Sequence, residues 1–291
     1  MESRRCPTDP PDGEWRCVRP HPPEPAGQGR PRLHGLRAIL DAVFYVLKSG
    51  RPRRLLPCDF PPWETACDWF RRWRIDGARE RPNAELRRRP RCRLAGDPDP
   101  SAGVVDSQSA RTTGVGGQER GLDPAKKAEG RKRHLLVDTE GLVLKAEVHS
   151  ARAPNADGIR PLLDSARDRL RRLSHLWVDA GYQGRGRRWA EEVSGLTVEV
   201  AREPGKPLPG EVAKGWAEER AKAGGRKLDW QRLMPPRGFR VSPGRWVVER
   251  TFAWISHNRR MAKDCERLCA TGEAFLYAAM TRLMVRRLAR A

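Results

Sequence analysis

The chain has 291 residues, with 58 Lys and Arg against 37 Asp and Glu, a formal net charge of +21. That length holds one large domain or two smaller ones, and 38% apolar residues can form a core beneath a heavily charged surface. The charge excess favours a polyanionic partner, because neutralising phosphates releases counterions; no apolar run approaches the roughly 18–20 residues of a membrane span.

The N-terminus "MESRRCPTDPPDGEW" lacks the apolar stretch of a secretory signal. Residues 1–33, rich in Pro, Arg and Gly, are expected to be poorly ordered apart from a turn around Trp15. Over 34–49, Leu36, Ile39, Leu40, Val43, Phe44 and Leu47 recur at helical spacing, and Gly50 and Pro52 stop the helix. A second helix, over about 60–75, carries Trp63, Cys67, Phe70 and Trp73 on one side and Arg71, Arg72 and Arg74 on the other. Two amphipathic helices with clustered arginines suggest a helix-turn-helix-like DNA-binding domain over 34–88; a plain helical cap on a larger domain is the alternative.

Residues 89–103 read as a linker. Beyond it, "AGVVDSQS" is a short strand, and a Gly-rich basic loop runs to about 130. "RKRHLLVDTEGLVLKAEVHSA" gives two strands joined at "DTEG". A helix over 156–173, a strand "HLWVDAG", a helix over 185–194 and a strand "LTVEVARE" follow. Residues 204–240 are a long loop or an inserted unit, and two helices close the chain. This order is mixed α/β, placing one domain over 104–291. Seven scattered cysteines without a C-x-x-C pair argue against zinc and for reduced thiols in a cytoplasm.

An apolar pair precedes aspartate three times, at Asp106, Asp138 and Asp179. Asp138 opens "DTEG", and a β-turn accounts for it. Asp106 and Asp179 stand at strand ends, where α/β folds gather ligands. Glu249, in "GRWVVERTFAW", lies off the apolar stripe of its helix, near the azimuth of Ser256, Arg260 and Lys263. The residues alone leave two readings for it, a metal ligand or an ion-pair partner of Arg245 or Arg250. As ligands, Asp106, Asp179 and Glu249 suit Mg²⁺, and two such ions roughly 3.5–4 Å apart serve phosphodiester displacement. Trp246 and Trp254 on the same helix are expected in the core from their helical spacing.

"VVDSQSARTT", "GRKRHLLVDTEGLVL", "LWVDAGYQG" and "RWVVERTFAWISHNRRMAKDCE" resemble, in order, the blocks of bacterial insertion-sequence transposases of the DDE type, above all the IS-five group. The resemblance implies a ribonuclease-H-like mixed sheet with flanking helices, preceded by a helical DNA-binding region. It maps the family's two aspartates and its glutamate onto Asp106, Asp179 and Glu249. These would hold two Mg²⁺ ions, with Mn²⁺ as a substitute. The implied chemistry is cut-and-paste: an activated water cuts at terminal inverted repeats, and the freed 3′-hydroxyl attacks target DNA. The implied partners are double-stranded repeat ends and target DNA, bound by a homodimer or larger assembly at the nucleoid. Lys126, Lys127, Arg131, Lys132 and Arg133, in a basic loop over 126–134, are candidate phosphate contacts, together with Arg71, Arg72 and Arg74. Arg245 matches the family signature around the glutamate, and Arg260 or Lys263 could replace its lysine. By analogy with the family, Trp246 or Trp254 would stack on a flipped base, the alternative to core packing. Two further readings use the same residues: a decayed copy that only binds DNA, and a nuclease on the same fold.

Overall fold

The computed structural model describes residues 6–22, 33–76, 80–94, 97–115, 117, 119–164, 166–201, 218 and 245–290. Its centre is a six-stranded sheet. Strand β1 (Ala102–Arg111) pairs antiparallel with β3 (Ala128–Asp138), and β3 pairs with both β2 (Gly121–Asp123) and β4 (Val143–Ser150). On its other side β1 runs parallel to β5 (His175–Val178), and β5 runs parallel to β6 (Thr197–Val200). An antiparallel meander continued by two parallel strands is the ribonuclease-H-like arrangement, with helices on both faces.

Strand periodicity divides β1 between two cores. Val105 faces α5 (Asn155–Asp164) and α6 (Arg185–Ser194), packing with Leu136, Ile159, Leu162, Val178 and Ala190. Val104 faces the opposite layer, with Leu135, Val137, Val248, Phe252 and Met280. That layer contains α7 (Arg245–Ser256) and α8 (Cys269–Arg290). The helix expected over 156–173 ends at Asp164, and a 3-10 turn at Arg167–Arg169 leads towards β5. The stretch 204–240 falls almost wholly outside the described residues.

The N-terminal helices join this second core. The apolar stripe read from the sequence forms α2 (Leu36–Ser49), burying Ile39, Leu40, Val43, Phe44 and Leu47. Gly50 closes it in the left-handed region, φ 73°. In α3 (Trp63–Ile75), Phe70 meets Phe275 of α8 with ring centroids 4.5 Å apart. Residues 12–18, where only a turn around Trp15 was expected, form a helix, α1 (Asp12–Val18), and Val18 is buried in the shared core.

Part of the expected linker is helical too. Helix α4 (Glu80–Leu94) runs through the arginine-rich stretch, because Arg87 and Arg91, one turn apart, turn inward rather than to solvent. Arg91 donates to Asp138 at 3.0 Å in a buried ion pair. The N-terminal helices and the sheet thus share one continuous core.

Candidate active site

Along β1 and β5, Val104 lies beside Trp177 and Val105 beside Val178, and Asp106 and Asp179 are the residues that come next on each segment. Alternation points both aspartates to the face of Val104 and Trp177, on the side of α7. Each has one oxygen fixed by a backbone N–H. Asp106 Oδ1 accepts from Ser107 at 2.6 Å, and Asp179 Oδ1 accepts from Gly181 at 2.9 Å. Asp179 thereby caps the 3-10 turn Ala180–Tyr182.

That turn drives Tyr182 beneath the sheet, where it is fully buried. Its hydroxyl is hydrogen-bonded to His134 Nδ1 at 2.7 Å. Burial first, then the charges of Asp106 and Asp179, hold this phenol well above its ordinary 10. One hydroxyl therefore lies within electrostatic reach of both aspartates. Burial, aided by His149, Lys132 and Lys126, keeps His134 far below 6.5, so its imidazole is neutral.

Glu249 occupies the exposed side of α7, while Val248 and Phe252 pack inward against the cluster that includes Val104. Asp106 and Asp179 thus follow paired positions of β1 and β5, and Glu249 is carried by α7, which packs on the layer of Val104. Among the described residues, no three His, Cys, Asp or Glu side chains gather closely enough to hold a metal ion. The donors themselves fit a hard cation, since paired carboxylates at a sheet edge are the oxygen ligands Mg²⁺ takes.

Asp138 is structural, as its turn position indicates. Its Oδ1 accepts the N–H groups of Glu140 at 3.0 Å and Leu142 at 2.8 Å.

The basic loop expected over 126–134 requires correction. Residues from Ala128 onward belong to β3, and Arg131, Lys132 and Arg133 are buried. Arg131 donates to the carbonyls of Glu266 at 2.7 Å and Arg267 at 2.8 Å, and it faces Asp264 at 3.4 Å. Arg133 donates to the Met261 carbonyl at 2.7 Å and the Lys263 carbonyl at 3.1 Å. Lys132 donates to Ala153 O and Asn155 Oδ1 at 2.9 and 3.0 Å. Arg131 and Arg133 thus hold the segment after α7 against the sheet, and Lys132 holds the start of α5.

Arg260 is corrected in the same way. Helix α7 ends at Ser256, so the face expected to carry Arg260 and Lys263 beside Glu249 is interrupted. Arg260 is buried in a 3-10 turn, donating to Glu266 Oε1 at 2.7 Å, and Arg53 also pairs with Glu266. The exposed members are Arg71, Arg72, Lys126, Lys127 and Lys263. Lys126 reaches the Ser107 carbonyl at 2.9 Å, and Arg74 is half-buried against Thr271. The side chain of Arg245 lies outside the described residues.

Trp246 is not in the core either, being 45% exposed. The Arg250 guanidinium is sandwiched between Trp246 and Trp254, 4.3 and 4.6 Å from their ring centroids, and Arg287 covers Trp254 at 4.4 Å.

A family model described as "Transposase DDE domain" matches residues 97–284, spanning every strand of the sheet and most of α8. The chain belongs to the DDE transposase family. A second model, "Putative transposase of IS4/5 family", matches residues 11–82 and takes in α1 to α3. The transposase therefore carries IS4/5-type sequence through its N-terminal helices, ahead of the DDE domain that contains its sheet. No curated protein matches it. Among solved structures, the crystal structure of the Mos1 strand transfer complex is similar at 16% identity, over 91% of this chain and 79% of that chain, with a TM-score of 0.24. Among the described residues of the transposase, no helix is long and apolar enough to cross a membrane.

The sequence signal missed for this site is Tyr182, three residues after Asp179. Its partner His134 lies directly opposite Ser107 in the β1–β3 register, next to Asp106.

Proposed function

We propose that this transposase cuts DNA at the terminal inverted repeats of its own element and joins the freed ends to target DNA, using Asp106, Asp179 and Glu249. The observation that supports the reading is the parallel register of β1 and β5, which ends with Val105 beside Val178, one residue before Asp106 and Asp179. Mg²⁺ held there, with Mn²⁺ as a substitute, supplies Lewis-acid stabilisation of phosphodiester oxygens during displacement.

The chain's own contribution is orientation. The Ser107 and Gly181 N–H groups fix one oxygen of each aspartate, which sets the carboxylate planes before substrate arrives. Glu249, on an exposed helical face, completes the set when DNA occupies the groove; active-site geometry commonly tightens only in the substrate complex. In the first step water attacks phosphorus and the bond to the 3′-oxygen breaks, leaving a 3′-hydroxyl. In the second, that hydroxyl attacks a target phosphorus and displaces its 3′-oxygen. Arg71, Arg72, Lys126, Lys127 and Lys263 contact phosphates, Arg245 precedes Glu249 by about one helical turn, and α3 meets the repeat. Joining two ends calls for a dimer or larger assembly working at the nucleoid.

One observation favours a second reading, a copy that binds ends without cutting: Glu249 is not gathered with the aspartates. The two separate on Mg²⁺-dependent cleavage of duplexes ending in the repeats that flank the gene. Wild type is expected to cut and Glu249→Gln to bind without cutting. Equal cleavage by both proteins, or none by wild type, would defeat the catalytic reading.

A further inference from the structure

Beneath the aspartate pair lies a buried polar assembly that the proposed chemistry does not use. His134 is completely buried, stacked on His149 at 4.6 Å between ring centroids. Helix α5 presses on its other side: a Cβ added to Gly158 would sit 2.3 Å from the His134 ring, so only glycine allows the approach. Asn155, at the start of that helix, accepts from Ser107 Oγ at 3.0 Å and from Lys132 Nζ at 3.0 Å. Asn155 also crowds Gly181, the residue whose N–H holds Asp179.

The assembly touches both aspartate segments. On the β5 side it ends in Tyr182, whose turn begins at Asp179. On the β1 side it ends in Ser107, the residue that fixes Asp106 through its N–H. His134, bonded to the Tyr182 hydroxyl, stands directly opposite Ser107 in the β1–β3 register, which closes the path between them. Beyond the last paired residues of β1 and β5, Val105 and Val178, the two strands have no further ladder to hold them in step.

We propose that Tyr182, with His134 and Ser107, forms a buried latch that sets the separation of Asp106 and Asp179, making these three positioning residues for the metal-binding pair. A phenol is suited to this, because its ring is rigid and its single polar atom fixes one distance. An aspartate pair held at one separation favours a small ion with strict geometry such as Mg²⁺ over larger, more tolerant cations. The inference rests on the catalytic reading above, since it assigns the latch to the same two carboxylates.

The test uses full-length protein and Mn²⁺ alone, followed by calorimetry without DNA, beside cleavage of repeat-end duplexes. Tyr182→Phe keeps the ring and removes the hydroxyl. It is expected to weaken Mn²⁺ binding roughly 10–100-fold, the usual effect of losing a group that orients a metal ligand. Cleavage at saturating DNA should fall with it, while the KM for DNA stays unchanged. Because Phe leaves His134 with an unmatched nitrogen, a second variant, Tyr182→Phe with His134→Leu, removes both partners; such paired removals are close to neutral for stability. A latch predicts that the double variant melts like wild type and still binds Mn²⁺ weakly. If the double variant binds Mn²⁺ like wild type, or if Tyr182→Phe alone does, the latch is overturned. Failure of wild type itself to cleave would instead overturn the catalytic reading.

Discussion

Arg91 and Asp138 form an ion pair, 3.0 Å long and almost completely shielded from water, that ties α4 to the turn between β3 and β4. Asp138 follows the same apolar-apolar pattern as Asp106 and Asp179, yet its oxygens are taken by Arg91 and by two backbone N–H groups. Breaking a buried pair on one side costs about 3–5 kcal/mol. Asp138→Asn should therefore lower unfolding stability by an amount in that range. Asp106→Asn, at a half-buried position within β1, should cost about 1 kcal/mol or less. Urea denaturation of the two variants checks the difference, and equal losses would remove the distinction between the structural aspartate and the one proposed for catalysis.

Glu147 on β4 gives a dependence on pH. Burial first, then the charge of Glu273, pushes its carboxyl from 4.5 up to about 7, with Lys145 opposing the shift. The folded chain thus holds a proton that the unfolded chain releases near 4.5. Between those values the native state binds more protons, so stability falls as pH rises through the window. Glu147→Gln should remove this slope and stabilise the protein at about pH 8 by about 1–2 kcal/mol, less than the full shift implies because solvent reaches the group. Unfolding midpoints on either side of the window measure it. A slope that survives the substitution contradicts the assignment.

The shared core predicts one cooperative unfolding event. Phe275 lies between Phe70 of α3 and the body of α8. Phe275→Ala should cost about 3–5 kcal/mol. Its effect should appear in a single transition followed equally by tryptophan fluorescence and far-ultraviolet circular dichroism. Two separated transitions would mean that the N-terminal helices fold independently.

The corrected basic residues lead to a contrast in DNA binding. Lys127 and Lys263 are exposed, whereas Arg131 is fully buried. Lys127→Ala or Lys263→Ala should reduce the slope of log affinity against log salt by about 0.9 each. Arg131→Met should lower the melting temperature and leave that slope intact. A salt slope that drops with Arg131→Met would return that side chain to the interface.

Where a local pattern determined the structure, the sequence made it legible. The stripe from Leu36 to Leu47 is a helix because each apolar residue finds the core at period 3.6, and Gly50 ends it as expected. Val104 and Val105 mark β1, and Asp138 was readable as a turn residue from "DTEG" alone. What stayed hidden depends on distant partners. The run "RKR" at 131–133 looks like surface charge, yet its arginines bond to carbonyls between Met261 and Arg267, which no local spacing reveals. Arg260 was unreadable for the same reason, since it is buried by Glu266 and Phe275. Tyr182 carried only the hint of its place after Asp179; that its hydroxyl reaches His134 follows from the strand register.

The measurement that bears most directly on the whole account is Mg²⁺-dependent cleavage of a duplex ending in the element's own repeats, by wild type and by Asp106→Asn, Asp179→Asn and Glu249→Gln. The account predicts 3′-hydroxyl ends from wild type, and none from the three variants, all of which still bind the duplex. Cleavage that persists in any one of them, or a wild type that binds and never cuts, would contradict it.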